Sequence, residues 1–309
     1  MGKYILKRLL YMIPMLFAVI VMVFLIMALT PGDPATNVLP LNTAPEIKAQ
    51  FNARVGYSEN LFERFGNYMH GLFTGNVLSY TTQESIFGEM AMRIPISFRV
   101  GIVAFMIASV LGVSMGILSA IKQYSFLDTT VTIFAILFAS IPSFFVAMLL
   151  VLFFAVNLGI LPTYGLEDGI LSYIMPVTTL VLGSIPMLSR LTRSAMLDAM
   201  NQDFIRIARA KGCSEKRVIW KHALKNAAMP ILTLLITGLA GTVGGSVIIE
   251  QIFTIPGIGT YMLTGINDKN VPVAMTCALV LSFVFMLAMV VLDIAYAIVD
   301  PKIRARYKK

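Results

Sequence analysis

Charged residues are scarce in this sequence: Asp, Glu, Lys and Arg make up only 13% of the 309 residues. So little polar surface cannot cover a water-soluble globule of that length. Hydrophobic residues, in contrast, make up 58% of the chain, and the mean hydropathy is +0.82. The composition therefore excludes a water-soluble globule and predicts a protein of the lipid bilayer.

Residues that bind metals or form disulfides are also few. The two cysteines, Cys213 and Cys277, have neither the number needed for a disulfide framework nor metal-ligand spacing. The two histidines, His70 and His222, lie far apart and have no companion ligands in sequence. We therefore predict no metal site and no cofactor, and the redox compartment stays open.

Nucleotide-binding and hydrolytic motifs are missing as well. The sequence has neither the phosphate loop GxxxxGK[ST] nor a soluble domain that can hold ATP. The few acids within apolar runs have no paired partners in sequence. We therefore predict that the chain has no catalytic residues and that any ATP hydrolysis is supplied by another chain.

Apolar runs long enough to cross a membrane occur six times, separated by Gly, Pro or charged residues. The first run exceeds the apolar core of a signal peptide, so we expect it to be retained. The sequence predicts an all-α integral membrane protein with six transmembrane helices. Its predicted segments are a cytoplasmic N-terminus (1–8), the first span (9–29), an external cap loop (30–97), spans 98–121, 129–156 and 173–194, a cytoplasmic loop (195–228), spans 229–249 and 273–298, and a cytoplasmic tail (299–309).

The net charge of +8 is carried at the ends of the apolar runs. A nucleic-acid-binding domain needs a solvated basic face, so we expect no nucleic acid as a partner. Lys and Arg accumulate on the cytoplasmic side of membrane proteins, and here they cluster at both termini and in 195–228. We therefore predict that both termini and this loop are cytoplasmic and that 30–97 lies outside.

A stripe of small residues recurs every four positions in the second span. It consists of Ala104, Ala108, Gly112, Gly116 and Ala120. Such stripes let helix backbones approach closely in lipid. We predict packing within the chain, and a subunit interface or a pathway wall is the alternative.

The segment 206–226, RIARAKGCSEKRVIWKHALKN, carries seven Lys/Arg and one acid. The spacing of Phe204, Ile207 and Ala208 predicts a helix over 195–211 with these three residues on one face.

Gly212 is expected to end this helix, and Ser214 to cap a second one. Such an element can rest in the lipid interface with its cations facing anionic headgroups. It can equally present an apolar patch to a soluble cytoplasmic partner, with the cations around the docking site. The residues alone leave both interpretations open.

The longer stretch RIARAKGCSEKRVIWKHALKNAAMP resembles the cytoplasmic loop signature of ABC-transporter permeases, in the version found in dipeptide, oligopeptide and nickel importers. In that family the loop forms a coupling helix that sits in a groove of an ATP-binding subunit. One departure is Arg206, which stands where the general signature has a Glu; the peptide subgroup commonly lacks that Glu. The coupling residues that the resemblance implies are Arg206, Ala208, Arg209, Ala210, Lys211, Gly212, Ser214 and His222.

Three further stretches resemble the same subgroup: TPGDP (30–34), GGSVIIEQIFTIPGIG (244–259) and VLDIAYAIVDPKIR (291–304). Because all occur in order and at matching hydropathic positions, the chain is most similar to the B-type permease subunit of these importers. The resemblance implies the type I ABC-importer permease fold and ATP-driven import of di- or oligopeptides across the cell membrane. Nickel chelates or another small solute remain the alternative cargo.

The resemblance also implies the partners. They are a second permease subunit in a heterodimer, two cytoplasmic ATP-binding subunits, and an extracellular or periplasmic substrate-binding protein that delivers cargo to the cap. The lipid bilayer is the surrounding medium.

A secondary transporter driven by an ion gradient is the rival from another class, and it needs ionisable groups within the spans. Asp293 is the clearest candidate, which we interpret as a helix-end cap or a contact with another span. Ser246 and Glu250 lie next to glycines, and this polar pair is predicted to line the translocation path.

Overall fold

The computed structural model describes residues 2–29, 32–243 and 247–299, and this part of the chain forms helices and one isolated bridge between Leu78 and Ser85. Its helices are α1 (Gly2–Ala28), α2 (Pro34–Val38), α3 (Pro45–Arg54), α4 (Leu61–Thr74), α5 (Ile86–Ile121), α6 (Phe126–Ser140), α7 (Ser143–Leu150, with a π-helical extension Val151–Asn157), α8 (Ile170–Met200), α9 (Asp203–Ala210), α10 (Glu215–Arg217, with a π-helical stretch Val218–Ala223), α11 (Leu224–Val243), α12 (Val247–Ile252), α13 (Ile258–Asn267) and α14 (Val271–Val299).

Five helical stretches in the described part are long and apolar enough to cross a membrane. They are Leu6–Ala28, Ile86–Ile121, Ile170–Met200, Glu215–Gly241 and Val271–Tyr296. The pair α6 and α7 qualifies as a sixth span if its two halves are counted together. With that pair included, the count agrees with the six predicted spans.

The third predicted span, 129–156, is not a continuous helix. Its two halves are bent by 94° at a break between Ser140 and Ser143. Ile141 has extended dihedrals (φ −94°, ψ 123°), and Pro142 follows it. A proline disfavours helical geometry in the residue before it and lacks an N–H for the helix ladder, so the chain turns here.

The other predicted spans lie within longer helices or end differently. Helix α5 begins already at Ile86, so the last part of the predicted cap 30–97 belongs to a long helix. Helix α8 extends beyond the predicted 173–194 in both directions, and α14 beyond 273–298. The predicted span 229–249 is described as α11 and α12, and residues 244–246 between them lie outside the described residues, as do Thr30, Pro31 and most of the tail.

The segment between α1 and α5 forms a small helical cap. Asp33 accepts a hydrogen bond from Thr36 N at 2.7 Å and is therefore the N-terminal capping residue of helix α2. The cap is joined to the α13–α14 turn because Tyr80 N donates to Asn270 Oδ1 at 3.1 Å and Asn270 Nδ2 donates to Ser79 Oγ at 2.9 Å. These contacts fix the cap to one end of the helix bundle.

Helices α5 and α8 form the centre of the bundle, and their backbones are in close contact. A Cβ atom placed on Gly112 would lie 2.6 Å from Leu188 Cβ, and one on Gly116 would lie 2.6 Å from Thr192 Cβ. No real side chain tolerates such distances, so glycine is required at both positions. The prediction that the small-residue stripe serves packing within the chain is confirmed.

The two ends of α5 contact different apolar clusters. Near its start, Ile86 and Met90 pack with residues of the cap, α1, α13 and α14. Near its end, Ile117 and Ala120 pack with α8, α9 and α11. With 36 residues, α5 is about 54 Å long at 1.5 Å per residue. The cap therefore lies at one end of the bundle, and the basic segment, residues 206–226, lies at the other.

Candidate functional site

The basic segment begins where α8 ends. The chain leaves α8 at Asn201 and passes through Gln202, whose backbone is extended (φ −76°, ψ 151°), into α9. The single helix predicted over 195–211 is therefore wrong. Asn, Gln and Asp occupy 201–203, and short polar side chains compete with the helix for backbone hydrogen bonds, which favours a break.

Gly212 ends α9 with a left-handed backbone (φ +78°). Gly212 N donates to Arg209 O at 2.9 Å, and Cys213 N donates to Ala208 O at 3.2 Å, which is the pattern of a Schellman turn. A Cβ atom at Gly212 would meet nothing within 4 Å, so the backbone conformation, rather than a lack of space, requires glycine. The predicted turn at Gly212 is confirmed.

Ser214 stands at the start of α10 with an extended backbone, but its side chain makes no capping hydrogen bond. The predicted hydroxyl cap is therefore wrong, although the helix starts where predicted. Glu215 supplies a negative charge in the first turn, which stabilises a helix N-terminus without the hydroxyl.

The inner face of the segment is apolar and packed on its own chain. Ile205 and Ala208 of α9, with Val218 and Ala223, join the cluster that includes Met196 of α8. Phe204, Ile207 and Ala208 lie at the predicted spacing within α9, but only Ala208 of the three is buried, so the face that packs on the chain is that of Ile205 and Ala208. Helical periodicity alone allows the buried face to be centred on Ile207 or on Ile205. Packing against α8 decides that Ile205 is buried.

The outer face carries cations and isolated apolar side chains. Among the predicted coupling residues, Arg206, Arg209, Ala210, Lys211, Gly212 and Ser214 are exposed, His222 is half-buried and Ala208 is buried. Between the cations, Ile207 is 55% exposed and Trp220 is 54% exposed. This mixture of charge and exposed aromatic surface is typical of a protein docking site.

An ion pair joins the two sides of the Gly212 turn. Arg209 donates from Nε to Glu215 Oε1 at 2.8 Å and from Nη2 to Oε2 at 3.2 Å. Because the pair lies on the surface, it orients the turn more than it stabilises the fold.

Glu250, one of the two predicted path residues, is enclosed at 2% exposure. Ser97 Oγ donates to its Oε1 at 2.7 Å, and Thr260 N donates to its Oε2 at 2.9 Å. A carboxylate so enclosed holds the turn between α12 and α13 in place in this conformation, and its role in the path stays a prediction. The other path residue, Ser246, lies outside the described residues.

Asp293 on α14 contacts another span. Its Oδ2 lies 2.7 Å from Arg8 Nε on α1. The interpretation of Asp293 as a contact with another span is confirmed.

Within residues 2–29, 32–243 and 247–299, no three His, Cys, Asp or Glu side chains come together as metal ligands.

A buried aspartate with an arginine partner was not anticipated. Asp128, in the first turn of α6, pairs with Arg193 of α8 and is 4% exposed. The available signal was an acid that follows Ser125 at cap spacing at the start of an apolar run. Its partner lies 65 residues away, so sequence spacing does not reveal the pair.

Comparison with known families identifies the chain. Residues 112–305 match the family described as the inner membrane component of binding-protein-dependent transport systems. Residues 1–100 match the N-terminal region of the membrane component of such systems. The chain belongs to this family. It is therefore a multi-pass permease of the cell membrane and a transport subunit rather than an enzyme, and the predicted family is confirmed.

The permease is similar along nearly its whole length to permeases of peptide transport systems. It is 38% identical over 308 residues to the dipeptide transport system permease protein DppB of Lactococcus lactis, and 36% identical over 308 residues to the oligopeptide transport system permease protein OppB of Haemophilus influenzae. Each match covers 98% of this chain and 100% of the relative.

The fold of the permease matches a solved transporter. A chain of the inward-facing MetNI methionine ABC transporter superimposes with a TM-score of 0.59 at 20% sequence identity, covering 70% of this chain and 99% of that one. At such low identity the likeness shows the fold alone. The predicted all-α ABC-importer permease fold is confirmed.

Proposed function

We propose that this permease forms half of the translocation path of an ATP-driven importer of di- or oligopeptides. The observation that carries the proposal is the segment from α9 to the start of α11. Its inner face is fixed to α5 and α8 by Ile205, Ala208 and Val218, and its outer face is exposed and cationic. The relatives that are permeases of dipeptide and oligopeptide systems support the choice of cargo.

The buried inner face favours a protein partner over the lipid interface. An interfacial helix needs a free apolar face to enter the lipid. In α9 that face is already covered by the chain itself, through Ile205 and Ala208. The remaining apolar surface, Ile207 and Trp220 among cations, suits a groove on a protein. We infer that this surface docks an ATP-binding subunit.

The remaining partners follow from the same proposal. A second permease subunit supplies the other half of the path, each permease docks one of two ATP-binding subunits, and an external binding protein delivers cargo to the cap. Closure of the ATP-binding subunits on ATP displaces α9, and α5 and α8 follow because they share its apolar cluster. In this scheme Arg206, Arg209, Ala210, Lys211 and Ser214 face the ATP-binding subunit. Ala208 holds the segment from within through the apolar cluster, Gly212 sets its shape, and His222 is half-buried in the same segment.

Purification of the tagged permease from native membranes in mild detergent, followed by mass spectrometry, tests the assembly. We expect a second six-span permease and P-loop ATP-binding chains to co-purify. Substitution Gly212→Val should abolish recovery of the ATP-binding chains, since valine is strained in the left-handed backbone. Gly75→Val is a matched control, because Gly75 has φ +74° and equally open space but belongs to the cap.

Two results would contradict the proposal. One is recovery of the permease without any ATP-binding chain. The other is equal recovery of those chains with Gly212→Val and Gly75→Val. The cargo is tested separately by ATP-driven uptake of radiolabelled tri-alanine into vesicles containing the complex, with competition by dipeptides. Absence of ATP-driven tri-alanine uptake, with ATP-driven uptake of a labelled nickel chelate by the same vesicles, would exclude peptide as the cargo.

A further inference from the structure

Asp128 joins three helices through one buried carboxylate. Arg193 of α8 donates from Nε to Oδ1 at 2.7 Å and from Nη2 to Oδ2 at 2.8 Å. The hydroxyl of Ser119, near the end of α5, donates to Oδ1, and Tyr124 N donates to Oδ2 at 2.9 Å. Each carboxylate oxygen therefore accepts two hydrogen bonds, and the ends of α5 and α8 are connected to the first turn of α6.

The same carboxylate fixes the α5–α6 turn. Tyr124 has a left-handed backbone (φ +63°), which is unfavourable for a residue other than glycine. Its side chain is exposed, so side-chain packing does not impose this conformation. The hydrogen bond from Tyr124 N to Asp128 holds it instead, together with the cap in which Asp128 N donates to Ser125 Oγ at 3.3 Å. The start of α6 is thus set by Asp128.

The Asp128–Arg193 pair lies next to the basic segment, which is the proposed coupling segment. Met196, one helical turn after Arg193 on α8, is buried against the apolar cluster that includes Ile205 and Val218. This cluster contains residues of α5, α8, α9 and α11, but within the described residues it includes none of α6. At this end of the bundle, Asp128 ties α6 to the helix leading into α9.

We propose that Asp128 and Arg193 are positioning residues that make α6 follow α8 when the coupling segment is displaced. This inference rests on the proposed function. Apolar contacts allow helices to slide past each other, whereas a bidentate ion pair fixes both distance and direction. Burial of the Asp128 carboxylate also limits screening of the pair by salt. Because α6 continues through the bend at Pro142 into α7, displacement of α8 reaches the whole bent span.

The test uses the complete complex, with its partner permease, ATP-binding subunits and binding protein, reconstituted in vesicles. The ratio of ATP hydrolysed to tri-alanine imported is measured for Arg193→Lys and Arg193→Gln. Lysine keeps the positive charge but cannot form the two parallel hydrogen bonds to the carboxylate. Glutamine loses both the charge and this bidentate geometry. Arg8→Lys is the matched control, because Arg8 also lies 2.7 Å from an aspartate but joins α1 to α14.

We expect Arg193→Gln complexes to assemble and to raise the ratio by at least about fivefold, the low end of coupling between distant sites. Arg193→Lys should give an intermediate ratio, with KM for ATP unchanged in both variants, and Arg8→Lys should keep the wild-type ratio. If Arg193→Gln fails to assemble, the ratio for Arg193→Lys decides.

A wild-type ratio in the assembled Arg193→Lys and Arg193→Gln complexes would overturn the proposal, as would an equal increase for Arg8→Lys. A purely structural role predicts lower amounts of complex with a normal ratio in whatever assembles. Absence of ATP-driven import in the wild-type complex would instead contradict the proposed function, so the two failures are distinguishable.

Discussion

Ser97 and Glu250 lie far apart in sequence, yet Ser97 Oγ donates to Glu250 Oε1 at 2.7 Å inside the bundle. The same Ser97 oxygen accepts a hydrogen bond from Ile258 N at 2.8 Å. The hydroxyl therefore connects α5, α12 and the start of α13. Glu250 and Ile258 are both buried, so the bonds from this hydroxyl to Glu250 Oε1 and from Ile258 N to this hydroxyl are shielded from water.

Ser97→Ala should lower the free energy of unfolding by about 1–3 kcal/mol, since it leaves a buried N–H and a buried carboxylate oxygen without that partner. Thermal unfolding of the purified permease in detergent measures the loss. Ser140→Ala is the control, because Ser140 is exposed and donates only within its own helix, to Ile136 O. Equal melting temperatures for the two variants would contradict the role assigned to Ser97.

Gly257→Ala tests how tightly the turn before α13 is packed. The backbone of Gly257 (φ −93°) suits any residue, but a Cβ atom would overlap the Glu250 carboxylate and the Ser97 hydroxyl. We expect a loss of about 1–3 kcal/mol in stability from overpacking.

Gly241→Ala is the comparison, since Gly241 lies in α11 with nothing within 4 Å of its added Cβ. There alanine should be neutral or stabilising by up to about 1 kcal/mol. The packing argument fails if Gly257→Ala melts at the wild-type temperature in the same detergent.

Trp220→Ala tests the docking surface. Exposed tryptophans in docking sites often contribute 2 kcal/mol or more to binding, so we expect affinity for the ATP-binding subunit to fall by at least about 30-fold. Titration of purified ATP-binding subunit onto the permease in nanodiscs gives the affinity. Phe73→Ala is the control, because Phe73 is 83% exposed but lies in the cap at the other end of the bundle. If the two variants bind equally well, the docking surface has been misplaced.

Asp293→Asn separates ATP-driven import from import driven by an ion gradient. Because Asp293 is paired with Arg8, we expect the variant to keep tri-alanine uptake within about twofold of the wild type in the presence of ATP. A protonophore should have no direct effect on uptake by vesicles supplied with ATP. Uptake that stops with the protonophore and with Asp293→Asn, but continues without ATP, would favour the secondary transporter.

Local sequence determined the elements that depend only on near neighbours. Apolar run length sets the spans, because a bilayer core needs about 20 apolar residues in a helix. Gly212 ends α9 because the left-handed backbone there strains any residue with a Cβ. The stripe through Gly112 and Gly116 indicated close helix packing, although the sequence does not name α8 as the partner.

Tertiary structure decided everything that joins distant parts of the chain. Both registers of α9 satisfy a helical period, and only contact with α8 and α5 buries Ile205 and Ala208 while leaving Ile207 exposed. Asp128 and Glu250 look alike in sequence, as isolated acids beside apolar runs. Both accept hydrogen bonds from a serine hydroxyl and a backbone N–H, but only Asp128 of the two pairs with an arginine, because the free-energy cost of burying a charge is offset by whichever groups the fold brings to it.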